Sequence, residues 1–197
     1  KRLITLTQAI REAALQGDDN NCRMLKQNRG RSILVTTPAK VLIENNYFRS
    51  AGAAVLIEGD TELWFESGAV CDITIRNNLF EDCYTSGNNI IDGPWGWGEG
   101  VISISPSFRP QDADAKAYHR NIRIVGNTFR HFDCAVLFAC SAEGLEFSRN
   151  RLERTRTYEP FYRPYNLFLD GCRKVRVAGN SFGPDFPGHN IGIVHMR

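Results

Sequence analysis

Five segments of the chain share one pattern, in which apolar and polar residues alternate and an asparagine follows. The segments are VLIENNYF from Val41, ITIRNNLF from Ile73, IRIVGNTF from Ile122, LEFSRNRL from Leu145 and VRVAGNSF from Val175. Alternation with a period of two predicts a short strand, and the asparagine with the residues after it predicts a turn. Because the pattern recurs five times, it indicates an internal repeat.

A second short apolar segment follows each copy and predicts a second strand. These segments are AVLIE at 54–58, VISIS at 101–105, VLFAC at 136–140, NLFLD at 166–170 and IGIVH at 191–195. NNCRM at 20–24 and SILVT at 32–36 resemble a degenerate earlier unit. The stretch TQAIREAALQG at 7–17 has a helical composition and is predicted to cap or precede the repeats.

The repeat predicts the fold class. A unit of two or three short strands cannot bury its apolar face alone, so successive units have to stack. We therefore predict an all-β protein, a right-handed parallel β-helix (solenoid) of about five to six coils, as a single domain over residues 1–197. Asparagine tolerates left-handed backbone and hydrogen-bonds to like side chains, which predicts an internal ladder. Its members are Asn46, Asn78, Asn127, Asn150 and Asn180.

Composition narrows the function classes. With 42% hydrophobic and 23% charged residues and a net charge of +2, the chain has no basic patch that would indicate a nucleic acid or an anionic membrane as partner. No apolar run approaches the roughly 18 residues of a membrane span. The six cysteines form no CxxC pair and have no histidine at ligand spacing, so neither a metal site nor a cofactor is predicted. Buried thiols are the favoured interpretation, with disulfides as the alternative.

Insertions between the repeated strands indicate where a site would lie, because loops on one side of a stack form the walls of a groove. Aligning the repeats places them at 84–99, 153–164, 183–190, 59–72 and 106–120. Trp95 and Trp97 stand between glycines in the first of these insertions. Such rings form flat platforms on which the apolar face of a sugar stacks. The alternative is that they only cover the open side of the coil.

Carboxylates gather around Trp64 in the segment AVLIEGDTELWFESGAV, where Glu58, Asp60 and Glu66 are the main candidates. Like charges beside an aromatic ring raise at least one carboxyl pKa, as a general acid requires. Since adjacent coils lie about 4.8 Å apart, the scaffold allows the carboxyl spacing of either inverting or retaining glycoside hydrolysis. A solvated loop is the alternative for any single acid.

His119 and Arg120, in YHRNIRI, lead into the next coil. Their donors could bind a sugar hydroxyl or a carboxylate. The alternative is that the pair anchors a loop.

Four motifs carry a resemblance to a known family: LVTTPAKVLIENNYF, VLIEGDTELWFESGAVCDITIRNNLF, GVISISP and YHRNIRIVGNTF. Together they resemble the α-galactosidases of glycoside hydrolase family 110, which remove terminal α-1,3-linked galactose, and the resemblance runs from about Arg29 to Phe182. It implies a bacterial enzyme that is secreted or bound to the cell envelope, with further N-terminal coils in the full-length family. It also implies an inverting, metal-independent mechanism with paired carboxylates, which would be Glu58, Asp60 and Glu66 here. The chain departs from the family pattern at Ser107, where the pattern has a glutamate.

The resulting prediction is a glycoside hydrolase that removes terminal α-1,3-linked galactose, with a glycan bearing that sugar as its partner. Asp60, Glu66 and Glu58 would be catalytic, and Trp64, Trp95, Trp97, His119 and Arg120 would bind substrate. Two alternatives stay open. One is a carbohydrate-binding β-helix without hydrolysis, which the serine at 107 favours. The other is a polysaccharide lyase, although no cluster of Lys or Arg accompanies the acids of 58–66.

Overall fold

The computed structural model describes residues 3–5, 24–28, 30–60, 68–86, 98–106, 116–133, 135–160, 165–186 and 190–196. Within these ranges every regular element is a β-strand, which confirms the all-β class. The described ranges also contain no helix that is long and apolar enough to cross a membrane. The helix predicted at 7–17 lies outside the described residues.

The strands form three six-stranded parallel sheets. Sheet A consists of β1 (Leu3–Thr5), β4 (Lys40–Glu44), β7 (Cys71–Arg76), β10 (His119–Val125), β13 (Ala142–Ser148) and β16 (Arg176–Ala178). Sheet B consists of β2 (Met24–Asn28), β5 (Tyr47–Ser50), β8 (Leu79–Glu81), β11 (Thr128–His131), β14 (Arg151–Arg154) and β17 (Ser181–Phe182). Sheet C consists of β3 (Ile33–Val35), β6 (Val55–Ile57), β9 (Ile102–Ile104), β12 (Leu137–Cys140), β15 (Leu167–Asp170) and β18 (Ile191–Val194).

Every strand pairs with the strand three places away in the chain, so the chain visits sheets A, B and C in turn. The register matches the repeat found in the sequence, since Val41 pairs with Ile73, Ile73 with Ile122, and Ile122 with Leu145. This arrangement of stacked parallel sheets is compatible with a parallel β-helix. The repeat unit differs from the prediction in one respect: the two to four residues after each asparagine form a strand of sheet B and not only a turn.

The predicted asparagine ladder is present. The Asn78 side-chain oxygen accepts from both the backbone N–H and the side-chain amide of Asn46, at 3.0 and 3.1 Å, and each later member repeats this contact with its predecessor. The left-handed backbone, however, falls one residue earlier than we predicted. The residues with positive φ are Asn45, Asn77, Gly126, Arg149 and Gly179, each directly before a ladder asparagine. The turn therefore uses two positions, one for backbone conformation and one for hydrogen bonding.

One apolar cluster joins the inner faces of the three sheets. Phe48, Phe80 and Phe129 stack through it with ring centroids 4.9 and 4.8 Å apart, one ring from each successive strand of sheet B. Cys83 and Cys172 lie buried in the same cluster as thiols, in agreement with the favoured interpretation of the cysteines. Burial raises their pKa values to about 12 and about 11. Cys22 and Cys134 lie outside the described residues.

Candidate functional site

The outer faces of the three sheets differ in character. Sheets A and B carry ion pairs between neighbouring strands on their outer faces, such as Arg76 with Glu44 at 2.6 Å and Arg130 with Glu81 at 2.7 Å. The central strands of sheet C are instead buried along their whole length, including the residues that alternate away from the core. These are Leu56, Ser103 and Phe138, with exposed fractions of 5%, 0% and 4%. The outer face of sheet C is thus the covered face.

The insertions flank sheet C, as the alignment of the repeats predicted. Two residues connect each strand of sheet A to the next strand of sheet B from β4 onward. By contrast, the segments 58–70 and 105–118 follow strands of sheet C, and 82–101, 155–166 and 183–190 precede them. The predicted insertions 59–72 and 106–120 end too late, because their last two residues already belong to β7 and β10, and 153–164 begins two residues too early, within β14. Since the long connections adjoin both ends of sheet C, its outer face is the candidate site.

Glu58 extends β6 at the edge of this face. Its backbone N–H donates to the carbonyl of Val35 at 3.3 Å, and the N–H of Ser105 donates to the carbonyl of Ile57 at 2.9 Å. Since Ile57 belongs to the core cluster, alternation turns Glu58 to the outer side of the sheet. The extended ladder therefore places Glu58 level with Ser105 on the next strand.

Asp60 follows two residues later and is almost fully buried, with 6% of its surface exposed. Between the two acids stands Gly59. A side-chain carbon at this glycine would lie 2.5 Å from the hydroxyl and 2.7 Å from the Cε1 atom of Tyr118. The Tyr118 ring therefore packs directly against the backbone that joins the two candidate acids.

His119 lies next to Tyr118 with no exposed surface, and the two rings meet edge to face with centroids 4.8 Å apart. Its Nδ1 accepts a hydrogen bond from the N–H of Val70 at 3.3 Å. Burial lowers the pKa of His119 to about 4, so the ring is neutral near pH 7, with its proton on Nε2. The Nε2 atom is buried and has no hydrogen-bond partner among the residues that the structure describes. In this structure His119 contacts the loop backbone, which is the anchoring alternative considered above.

Arg120 lies elsewhere. Its side chain is exposed on sheet A, where it pairs in register with Glu143 of β13. The structure therefore places Glu58 and Asp60 at one end of sheet C. His119 begins β10 of sheet A and lies near them through the Tyr118 ring, whereas Arg120 is exposed on sheet A. The other candidates, Trp64, Glu66, Trp95, Trp97 and the departure at Ser107, lie outside the described residues. Their roles stay predictions.

Two residues near the candidate site were missed from the sequence. Glu99 is half-buried, and its backbone N–H donates to the Ser103 hydroxyl at 3.2 Å, which places it over the outer face of β9. Tyr118 packs against Gly59 as described. The signal for Glu99 was its position between glycines directly before a strand of sheet C, and for Tyr118 it was the large ring beside His119.

An open groove of about 520 Å³ lies elsewhere, against the last two strands of sheet B. It is lined by Arg151, Glu153, Arg154 and residues 181–185. Glu153 forms an ion pair with Arg151 at 2.5 Å across its floor. None of the candidate site residues lines this groove, and its ionic lining differs from the apolar face that sugar rings contact.

Comparison with known proteins shows which proteins this chain is related to. No protein-family model matches the chain. It is 45% identical over 170 residues to the alpha-1,3-galactosidase B of Bacteroides thetaiotaomicron, covering 86% of this chain. This chain is homologous to the α-1,3-galactosidases. The alpha-1,3-galactosidase A of a Bacteroides fragilis strain is 42% identical over 90% of the chain, and the alpha-1,3-galactosidase B of Akkermansia muciniphila is 38% identical over 66%.

The resemblance drawn from the motifs is thereby confirmed. The chain spans only 26% of the B. thetaiotaomicron α-1,3-galactosidase and 28% of the B. fragilis one. The similarity therefore concerns one part of these α-1,3-galactosidases.

Proposed function

We propose that this chain carries a glycoside hydrolase site that removes terminal α-1,3-linked galactose from glycans. The observation that carries the proposal is identity of 42–45% over 85–90% of the chain to three proteins named alpha-1,3-galactosidase. The position of Glu58 and Asp60 supports it, because both stand at the end of sheet C where insertions gather. The substrate is a glycan that ends in α-linked galactose.

The proposed mechanism uses two carboxyl groups. One of Asp60 and Glu66 donates its proton to the glycosidic oxygen as the bond from that oxygen to the galactose C1 breaks. A second carboxylate, with Glu58 as the remaining candidate, takes a proton from a water molecule that attacks C1 from the opposite face. The product then has the inverted, β configuration. The burial of Asp60 supports its role, because carboxyl groups that react in an enzyme site are shielded from bulk water.

The proposal includes the fold and the setting of the site. We infer a right-handed parallel β-helix of five to six coils, with residues 1–197 as one domain of it. The order in which the chain visits the three sheets, the single core cluster and the asparagine ladder support this inference. The family resemblance supports a secreted or envelope-bound bacterial protein, which fractionation of the source cells would test.

The proposed activity is tested with the full chain and a disaccharide of galactose α-1,3-linked to galactose. Proton NMR of the fresh reaction distinguishes the anomers, and the inverting mechanism predicts that β-galactose appears first. Isothermal titration with the same disaccharide runs in parallel. Binding without any release of galactose would overturn the hydrolase proposal and favour a carbohydrate-binding β-helix. Early release of α-galactose would overturn the inverting mechanism alone.

A further inference from the structure

We propose that Tyr118 and His119 are positioning residues, which hold the chain on both sides of residues 61–67 and so fix Asp60 for catalysis. This inference rests on the proposed function, because it concerns the same site. We call the two segments 58–60 and 68–70 the neck.

The Tyr118 ring touches both segments of the neck through glycines. On the entering side, an added Cβ at Gly59 would lie 2.5 to 3.0 Å from three atoms of the ring. On the leaving side, an added Cβ at Gly68 would lie 3.2 Å from the Tyr118 hydroxyl. Distances below 3.0 Å leave no room for a side chain, so the ring sits against bare backbone at Gly59. One ring thus spaces the two segments of the neck.

His119 holds the leaving segment by hydrogen bonding. Its Nδ1 accepts from the N–H of Val70, at the last residue before β7. The backbone N–H of Arg120 donates to the Val70 carbonyl at 3.1 Å, so both polar groups of Val70 are bound to this one segment. A neutral ring is required, because a protonated Nδ1 could not accept. The lowered pKa of His119 keeps it in that state across the neutral range.

Tyr118 and His119 are themselves held by Ser141, through backbone hydrogen bonds that the neck does not share. The backbone N–H of Tyr118 donates to the Ser141 hydroxyl and that of His119 to the Ser141 carbonyl, both at 3.0 Å. Ser141 is 2% exposed and joins β12 to β13. Tyr118 and His119 therefore connect the neck to strands two repeats further along the chain. A reacting group on a loop needs such support from rigid elements, since a displacement of about 1 Å can cost on the order of 100-fold in rate.

Paired variants of the full chain test this inference. Tyr118→Phe keeps the ring against Gly59 but removes the hydroxyl that faces Gly68, and Tyr118→Ala removes both contacts, whereas Gly59→Ala adds a side chain on the other side of the ring contact. His119→Asn keeps an acceptor near the position of Nδ1, and His119→Leu removes it. Tyr47→Ala is the matched control, because this tyrosine lies on the outer face of sheet B, where its hydroxyl donates to Glu81 at 2.5 Å. Each variant is assayed at a temperature well below its melting point, with the α-1,3-linked disaccharide.

We expect Tyr118→Ala, Gly59→Ala and His119→Leu to lower kcat on the order of 10- to 100-fold with KM changed less than about threefold. His119→Asn and the Tyr47→Ala control should stay within about threefold of wild type, and Tyr118→Phe, which keeps the contact with Gly59 and loses that with Gly68, should fall between wild type and Tyr118→Ala. Amide exchange at Val70 should accelerate in His119→Leu and be restored in His119→Asn. A folded Tyr118→Ala protein with unchanged kcat would overturn the inference, as would an equal loss in the control.

The two proposals fail in different ways. If wild type releases no galactose, the proposed function fails, and the exchange of the Val70 amide still reports whether His119 holds the neck. Unchanged exchange in His119→Leu would refute the contact itself. Active wild type with insensitive variants would refute only the positioning role.

Discussion

Replacing Asn127 by alanine tests the asparagine ladder at its centre. The side chain is 1% exposed and makes four hydrogen bonds. Its oxygen accepts from the backbone N–H and the amide of Asn78, both at 3.0 Å, and its amide donates to the Ile75 carbonyl at 3.0 Å and to Asn150 at 3.1 Å. At about 1 kcal/mol for each bond, the loss is about 4 kcal/mol. For a protein of this length that corresponds to a Tm lower by about 10 °C.

The assay is urea unfolding followed by far-UV circular dichroism, with Asn180→Ala as control. Asn180 makes three hydrogen bonds of the same kinds, two with Asn150 and one with the Phe147 carbonyl, but it is the last of the five ladder members and is only half-buried. Water can replace its partners there, so we expect a loss of about 1 kcal/mol. Equal losses at the two positions would refute the reasoning that burial gives the ladder its stability. So would a loss below 1 kcal/mol at Asn127.

Three further predictions concern burial and backbone strain. Burial lowers the pKa of His131 to about 3, whereas the group titrates near 6.5 in the unfolded chain. The unfolded state therefore binds more protons between these values, and the free energy of unfolding falls as the pH drops from 6.5 toward 3. In His131→Leu the urea midpoint should depend less on pH over that range. Gly98→Ala should lower the free energy of unfolding by about 2–3 kcal/mol, because φ at Gly98 is +109° and the new Cβ would lie 2.7 Å from that of Ala53. Gly171→Ala, whose Cβ would enter open space, should lower it by about 1 kcal/mol in the same urea assay. Thiol labelling mapped by mass spectrometry should leave Cys83 and Cys172 unmodified in the native protein and label both in guanidinium, and native labelling of either would contradict their burial.

The sequence predicted the strands well because the repeat supplies the same evidence five times. The segment ITIRNNLF, for example, alternates from Ile73 to Arg76 and then reaches the ladder asparagine. The strands of sheet B were missed, since the two to four residues after each asparagine are too few to show a period. The site of positive φ was also misplaced, because Asn45 and Asn46 have the same side chain, and only the hydrogen bonds distinguish their roles.

The candidate site was less predictable than the fold. Alternation placed Glu58 on the outer face, since one pairing register fixes every side chain of a strand. The contacts of Tyr118 with Gly59 and of His119 with Val70 join segments about 50 to 60 residues apart in the chain. Contacts between such distant segments leave no periodic pattern in the local sequence. That is why His119 was predicted to bind substrate, whereas its ring is turned inward against the loop backbone.

The most direct test compares galactose release by three proteins: wild type, Asp60→Asn and Glu146→Gln. Glu146 is the control, because this partly buried carboxylate lies on the outer face of sheet A, where it pairs with Arg123 at 3.1 Å. We expect wild type to cleave the α-1,3-linked disaccharide, Asp60→Asn to lower kcat at least about 100-fold while remaining folded, and Glu146→Gln to be unchanged. Full activity in Asp60→Asn would contradict the assignment of the acid, and no cleavage by wild type would contradict the account as a whole.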